Sequence, residues 1–145
     1  MVKSELLVLG LGSNIEPREI YLQKAVEKLD FLSGIKVSST VDTPAMLAPN
    51  SPTEWDKPFL NIAVAGWCNL DPIEIFNKIK EIEVSLGRPS KHPKWSPRTI
   101  DVDILAYGQL RYQDEYICIP HPELFNRSFA YLPAMEIAAD LISAL

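Results

Sequence analysis

The chain has 145 residues, 47% hydrophobic and 23% charged, which suits one globular domain and excludes a disordered tail, a coiled-coil rod or a collagen-like repeat. Its 19 acids outnumber its 14 lysines and arginines, and the net charge of −5 argues against whole-surface attraction to nucleic acid or an anionic membrane. No apolar run approaches the roughly 20 residues of a membrane-spanning helix; Cys68 and Cys118 have no zinc-site spacing and read as two thiols in a reducing cytoplasm.

Residues 6–11 read as a short buried strand ended by Gly10, Gly12 and Ser13. Ser13 or Asn14 is the expected cap of a helix, with Glu16 and Pro17 in its first turn. Leu22, Ala25, Val26, Leu29 and Leu32 keep helical spacing, and Gly34 is the expected stop. Alternation over 35–42 predicts a half-buried strand. Residues 43–58 carry four prolines and no period, the mark of a functional loop. Residues 59–67 then predict a strand with Phe59, Asn61, Ala63, Ala65 and Trp67 on one face and Leu60, Ile62, Val64 and Gly66 on the other. Asp71-Pro72-Ile73-Glu74 is a capping box that opens a second helix, closed by Gly87. Residues 99–107 read as a strand, 110–119 as further extended structure, and 126–145 as a C-terminal helix. Strand, helix, strand, strand, helix, strand is the order of an α+β, ferredoxin-like βαββαβ sandwich with an antiparallel sheet, here followed by an extended segment and a helix. A single domain over residues 1–145 is the expectation.

Charge is distributed unevenly. Residues 84–100 contain no acid, yet hold Arg88, Lys91, Lys94 and Arg98 between Pro89, Pro93 and Pro97. Asp101 and Asp103 follow at once. With Ile100, Val102 and Ile104 turned to the core, both carboxylates share the opposite face, about 7 Å apart at the backbone. Paired carboxylates repel unless a cation lies between them, and oxygen ligands suit a hard ion such as Mg²⁺ that also takes phosphate oxygens. The other reading is a solvated strand face with two unrelated acids. Arg88 and Arg98 can grip phosphate through planar forks, and Lys91 adds a mobile point charge. Trp95 either shields a nucleotide or pins the loop. Phe59 and Asn61 set an aromatic plane beside an amide on one strand face, a seat for a flat heterocycle or simply core filling with a bonded amide. The GLGSN turn lacks the Lys and Ser/Thr of a P-loop.

From the opening LGLGSN, through SSTVDTP, FLNIAVA and EIEVSLGR, to WSPRTIDVDIL and IPHPELFNRSFAYLPAMEIA, the chain resembles the 6-hydroxymethyl-7,8-dihydropterin pyrophosphokinase family of folate biosynthesis. The resemblance implies transfer of diphosphate from ATP to the pterin hydroxymethyl oxygen, with release of AMP. It implies two Mg²⁺ ions on Asp101 and Asp103, with Arg88 and Arg98 steadying the transferred group. It implies a pterin pocket of Thr43, Pro44, Met46, Phe59, Asn61 and Phe129. The nucleotide side would comprise Glu83, Arg88, Trp95, Arg98, Ile104, His121 and Arg127, to which the charge of the basic loop adds Lys91. Ser90, Pro122 and a longer loop after Thr43 depart from the family pattern. Members are often joined to neighbouring folate-pathway enzymes, so a fusion is compatible with this chain. The rival readings are another Mg²⁺-dependent nucleotidyltransferase and a ferredoxin-like module for single-stranded nucleic acid; the acidic face opposes the latter.

Overall fold

The sheet is organised around its first strand. In a computed structural model that describes residues 3–45, 47–87 and 99–145, β1 (Glu5–Ser13) lies between β4 (Phe59–Cys68) and β5 (Asp101–Tyr107), antiparallel to both. β2 (Ser33–Val37) pairs with β4 on its outer side, as does the short β3 (Val41–Thr43), so the order is β2-β4-β1-β5. A separate two-stranded ribbon joins β6 (Tyr112–Gln113) and β7 (Cys118–Ile119). Among the described residues, the α-helices α1 (Arg18–Glu27), α2 (Pro72–Ser85) and α3 (Ser128–Ser143) complete the mixed helix-and-sheet fold.

Period-two alternation sorts the strand side chains between two cores. Leu7, Leu9 and Leu11 of β1, Leu60, Ile62 and Val64 of β4, and Val102 and Ile104 of β5 meet Leu22 and Ala25 of α1 and Ile75, Ile79 and Ile82 of α2. Complete burial of a leucine or isoleucine here contributes about 1.5–3 kcal/mol. On the reverse face, Val8, Ala65, Leu105 and Ala106 meet Ala134, Ala138 and Ile142 of α3. α3 accommodates this surface with Pro133 inside it and a non-helical residue at Ala138. Leu105 and Ala106 share that face because the β1–β5 register slips between Val8 and Leu9. One extra residue at this bulge re-phases the strand, so Ile104 and Tyr107 both turn to the first core.

The expected faces of residues 59–67 and 100–104 are found, and the capping box at α2 is present, with the Asp71 N–H donating to Glu74 Oε1 at 3.2 Å. Four local expectations are corrected. β1 does not end at Leu11: both glycines lie inside it, and it runs to Ser13. α1 is therefore not capped by Ser13 or Asn14 but begins after Pro17, and Asn14 instead donates to the Lys57 carbonyl at 3.2 Å. α1 stops at Glu27; Leu29 and Leu32 reach the core from the turns that follow, and Gly34 belongs to β2. The half-buried strand over 35–42 is two strands, of which β2 is exposed throughout. The break falls at Ser38, whose hydroxyl takes the Ala63 N–H at 2.8 Å, a place in the ladder ordinarily filled by a backbone carbonyl.

Candidate active site

α3 leaves one half of its sheet face uncovered, and that half is a cavity of about 420 Å³. Its floor follows from strand register. Gly12 stands between Asn61 of β4 and Asp101 of β5, and Gly10 between Ala63 and Asp103. Cross-strand partners share a face, so the two carboxylates and the amide project into one space across a floor without side chains. A Cβ on Gly12 would come within 2.9 Å of Asn61 Oδ1 and 3.3 Å of Phe59 Cδ1. Thr43, Pro44 and Phe59 form one wall; His121, Glu123, Arg127, Phe129 and Ala130 form the other.

Asn61 is held firmly. Its Nδ2 donates to the Val41 carbonyl at 3.1 Å and to Thr43 Oγ1 at 2.8 Å, which leaves Oδ1 as the amide group on the Gly12 side. His121 Nδ1 accepts the Glu123 N–H at 3.1 Å, while the His121 N–H donates to the Leu105 carbonyl at 2.9 Å. Burial holds the imidazole below its ordinary value, partly opposed by the charges of Glu123 and Asp101. The neutral ring then carries its proton on Nε2. Glu123 Oε2 accepts from Arg127 Nε at 3.3 Å, and the guanidinium carbon lies 5.9 Å from the Phe129 ring centroid.

A second cavity of about 280 Å³ lies over the β5 edge, lined by Phe76, Lys80, Ile104, Tyr116, Cys118 and others. Asp103 and His121 border both cavities. Phe76 and Tyr116 form an aromatic pair there, with ring centroids 6.1 Å apart and Lys80 Nζ 5.1 Å from the Phe76 centroid. Glu83 lines neither cavity. It is 2% exposed; its Oε2 accepts the Val102 N–H at 2.9 Å and its Oε1 pairs with Lys80 Nζ at 3.1 Å. The amide that it holds is the one between Asp101 and Asp103.

Thr43, Pro44, Phe59, Asn61, Asp101, Asp103, His121, Arg127 and Phe129 thus gather in one cavity, and Ile104 lies in its neighbour. Met46, Arg88, Lys91, Trp95 and Arg98 lie outside the described residues. Sequence reasoning missed Gly10, Gly12, Glu123 and Ala130. The glycines had a signal, since they alternate with Leu9 and Leu11 on a strand; Glu123 and Ala130 are placed by tertiary packing alone.

A sequence model described as 7,8-dihydro-6-hydroxymethylpterin-pyrophosphokinase (HPPK) matches residues 8–139, and the chain belongs to this family of enzymes. It is 38% identical over 135 residues to the 2-amino-4-hydroxy-6-hydroxymethyldihydropteridine pyrophosphokinase of Aquifex aeolicus, covering 92% of this chain and 81% of that protein. It is 41% identical over 133 residues to the folate synthesis bifunctional protein of Chlamydia muridarum, covering 89% of this chain but only 29% of that relative. Among solved structures, a Plasmodium falciparum HPPK-DHPS triple mutant with SDX-DHP superposes with a TM-score of 0.67 at 15% identity, over 92% of this chain and 38% of that one. This last likeness concerns the fold. No helix among the described residues is long and apolar enough to cross a membrane.

Proposed function

We propose that the chain transfers diphosphate from ATP to the hydroxymethyl oxygen of 6-hydroxymethyl-7,8-dihydropterin, releasing AMP, within folate biosynthesis. The observation that carries the reading is the glycine floor: an anchored amide and two carboxylates converge on one slot of about 420 Å³, walled by Phe59 and Phe129. A pterin is flat, aromatic and edged with N–H groups. Phe59 and Phe129 stack against its faces, and Asn61 Oδ1 accepts from its edge, since the Asn61 donors are already engaged. The nucleotide occupies the second cavity, with its base against Phe76, Tyr116 and Ile104. Its phosphates pass Asp103 and His121, the two residues common to both spaces.

Asp101 and Asp103 suit Mg²⁺: two hard oxygen donors face a cavity roomy enough for phosphate oxygens and water to complete the coordination. Bound there, two Mg²⁺ ions would supply charge neutralisation on the phosphates and a lowered pKa at the acceptor hydroxyl. The remaining work is positioning. Arg127, aligned by Glu123 and resting near Phe129, presents positive charge between the two substrates. His121, neutral, offers its Nε2 proton to a phosphate oxygen. Arg88 and Arg98 are assigned to the transferred group, Trp95 to the nucleotide and Met46 to the pterin rim by resemblance, and Lys91 to the nucleotide by its charge. Glu83 acts on the nucleotide side from beneath β5. The antiparallel order β2-β4-β1-β5, with α1 and α2 on one face, supports a ferredoxin-like reading of residues 1–145 as one domain, working alone or joined to another folate-pathway enzyme in the cytoplasm.

Incubation with ATP, Mg²⁺ and the hydroxymethyl dihydropterin, with the nucleotide products separated by chromatography, tests the assignment. AMP together with a diphosphorylated pterin is the expected result. Release of inorganic pyrophosphate instead identifies a nucleotidyltransferase, and the absence of turnover in a folded protein rejects the reading.

A further inference from the structure

The long loop over residues 44–58 leaves the sheet at Thr43 and rejoins it at Phe59, and these two residues face one another in the β3–β4 ladder. Both line the cavity. The loop therefore starts and ends at the wall of the pterin side, and whatever fixes its two feet also fixes that wall.

Arg18, the first residue of α1, reaches both feet. Its Nη1 donates to Asp42 Oδ1 at 2.8 Å, on the outgoing strand, and to the Pro58 carbonyl at 3.2 Å, on the returning one. Its Nε donates to Glu16 Oε1 at 2.7 Å, which holds the guanidinium plane in place. Asn14, four residues earlier, adds its bond to the Lys57 carbonyl at 3.2 Å. An exposed ion pair by itself contributes little. Arg18 is 20% exposed while Glu16 and Asp42 lie at the surface, so the weight falls on connectivity: one guanidinium, oriented by Nε, bonds both segments that the loop separates. Lysine keeps the charge but loses the fork.

We propose that Arg18, seconded by Asn14, is a positioning residue that fastens the base of the 44–58 loop and thereby sets the affinity for the pterin. The claim rests on the function proposed above. It concerns the pterin half alone: Arg18 is absent from the lining of both cavities. Loosening the feet lets Thr43 and Phe59 drift apart while leaving Asp101, Asp103 and the nucleotide space intact.

The test compares Arg18→Ala and Arg18→Lys with the parent protein in steady-state AMP release. Removing a charge-assisted fork is expected to raise KM for the pterin about tenfold in Arg18→Ala, with kcat and KM for ATP within about twofold of the parent. Arg18→Lys should recover part of the loss. Chymotryptic cleavage after Leu47 or Trp55 should quicken in Arg18→Ala at unchanged Tm. An unchanged pterin KM overturns the proposal, as does a parallel loss in all three kinetic parameters together with a lowered Tm, which marks a general structural role. If the parent releases no AMP, the proposed function fails by itself. The clamp is then judged on proteolysis, and equal cleavage in parent and variant overturns it.

Discussion

Gly12→Ala is the sharpest probe of the glycine floor. The added Cβ would lie 2.9 Å from Asn61 Oδ1 where ordinary contact begins at 3.4 Å, so the amide oxygen must retreat by about 0.5 Å. It has little freedom to do so, because Nδ2 of the same group is bonded at 3.1 Å and 2.8 Å to Val41 and Thr43. The methyl also presses Phe59 Cδ1 at 3.3 Å. Overpacking of this kind costs about 1–3 kcal/mol. To the extent that this cost falls on the pterin complex, binding should weaken by roughly 5- to 140-fold, at about 1.4 kcal/mol per tenfold. Gly10→Ala is the matched control. Its Cβ meets the Leu105 side chain at 3.3–3.5 Å, a milder contact than that at Gly12 and away from the Asn61 amide, so pterin affinity should change by less than about threefold. Calorimetric titration with the pterin, alongside Tm for each variant, separates a binding defect from unfolding. Full pterin affinity in Gly12→Ala, or an equal loss in the two variants, would refute the geometry of the floor.

Replacing Asp101 or Asp103 by Asn should slow turnover at least about 10²-fold while pterin binding survives; near-normal rates at saturating Mg²⁺ in both variants would remove the metal assignment. Glu83→Gln weakens a charged acceptor on the Val102 N–H, at a cost of about 1–2 kcal/mol of stability. It should also raise the Mg²⁺ concentration for half-maximal rate, through the loosened strand between the two aspartates; a Mg²⁺ titration that matches the parent would refute the coupling. Asp114 accepts from the Tyr112 hydroxyl at 2.7 Å, and from the N–H groups of Tyr116 and Ile117. The tyrosine hydrogen bond first, then those amides, hold its carboxyl below the usual 3.8. A folded pKa below the unfolded one gives stability that is present above 3.8 and lost as pH falls through the lower folded value. Protection factors of the β6–β7 ribbon amides, taken against the intrinsic exchange rate at each pH, should therefore fall in strong acid in the parent, but already be low at neutral pH in Asp114→Asn. Identical profiles would refute the role.

Why most of this cavity was legible and the rest was not comes down to phase and packing. Asp101 and Asp103 could be placed because alternation with Ile100, Val102 and Ile104 stays in phase up to the bulge; beyond it, Leu105 and Ala106 share a face that strict alternation would have divided. In β1 the same alternation sets Gly10 and Gly12 opposite Leu9 and Leu11, but glycine is also a turn residue, and the turn reading ended the strand too early. The position of α3 is invisible to any local pattern. Its logic is nonetheless physical: a helix settles where side chains offer area to bury. Val8, Ala65, Leu105 and Ala106 offer it, whereas Gly10 and Gly12 do not. The glycines that make the floor shallow enough for a flat ligand also deprive that half of the sheet of side-chain area that would hold the helix over it. Slot and uncovered sheet thus share one cause, and it lies in two missing side chains.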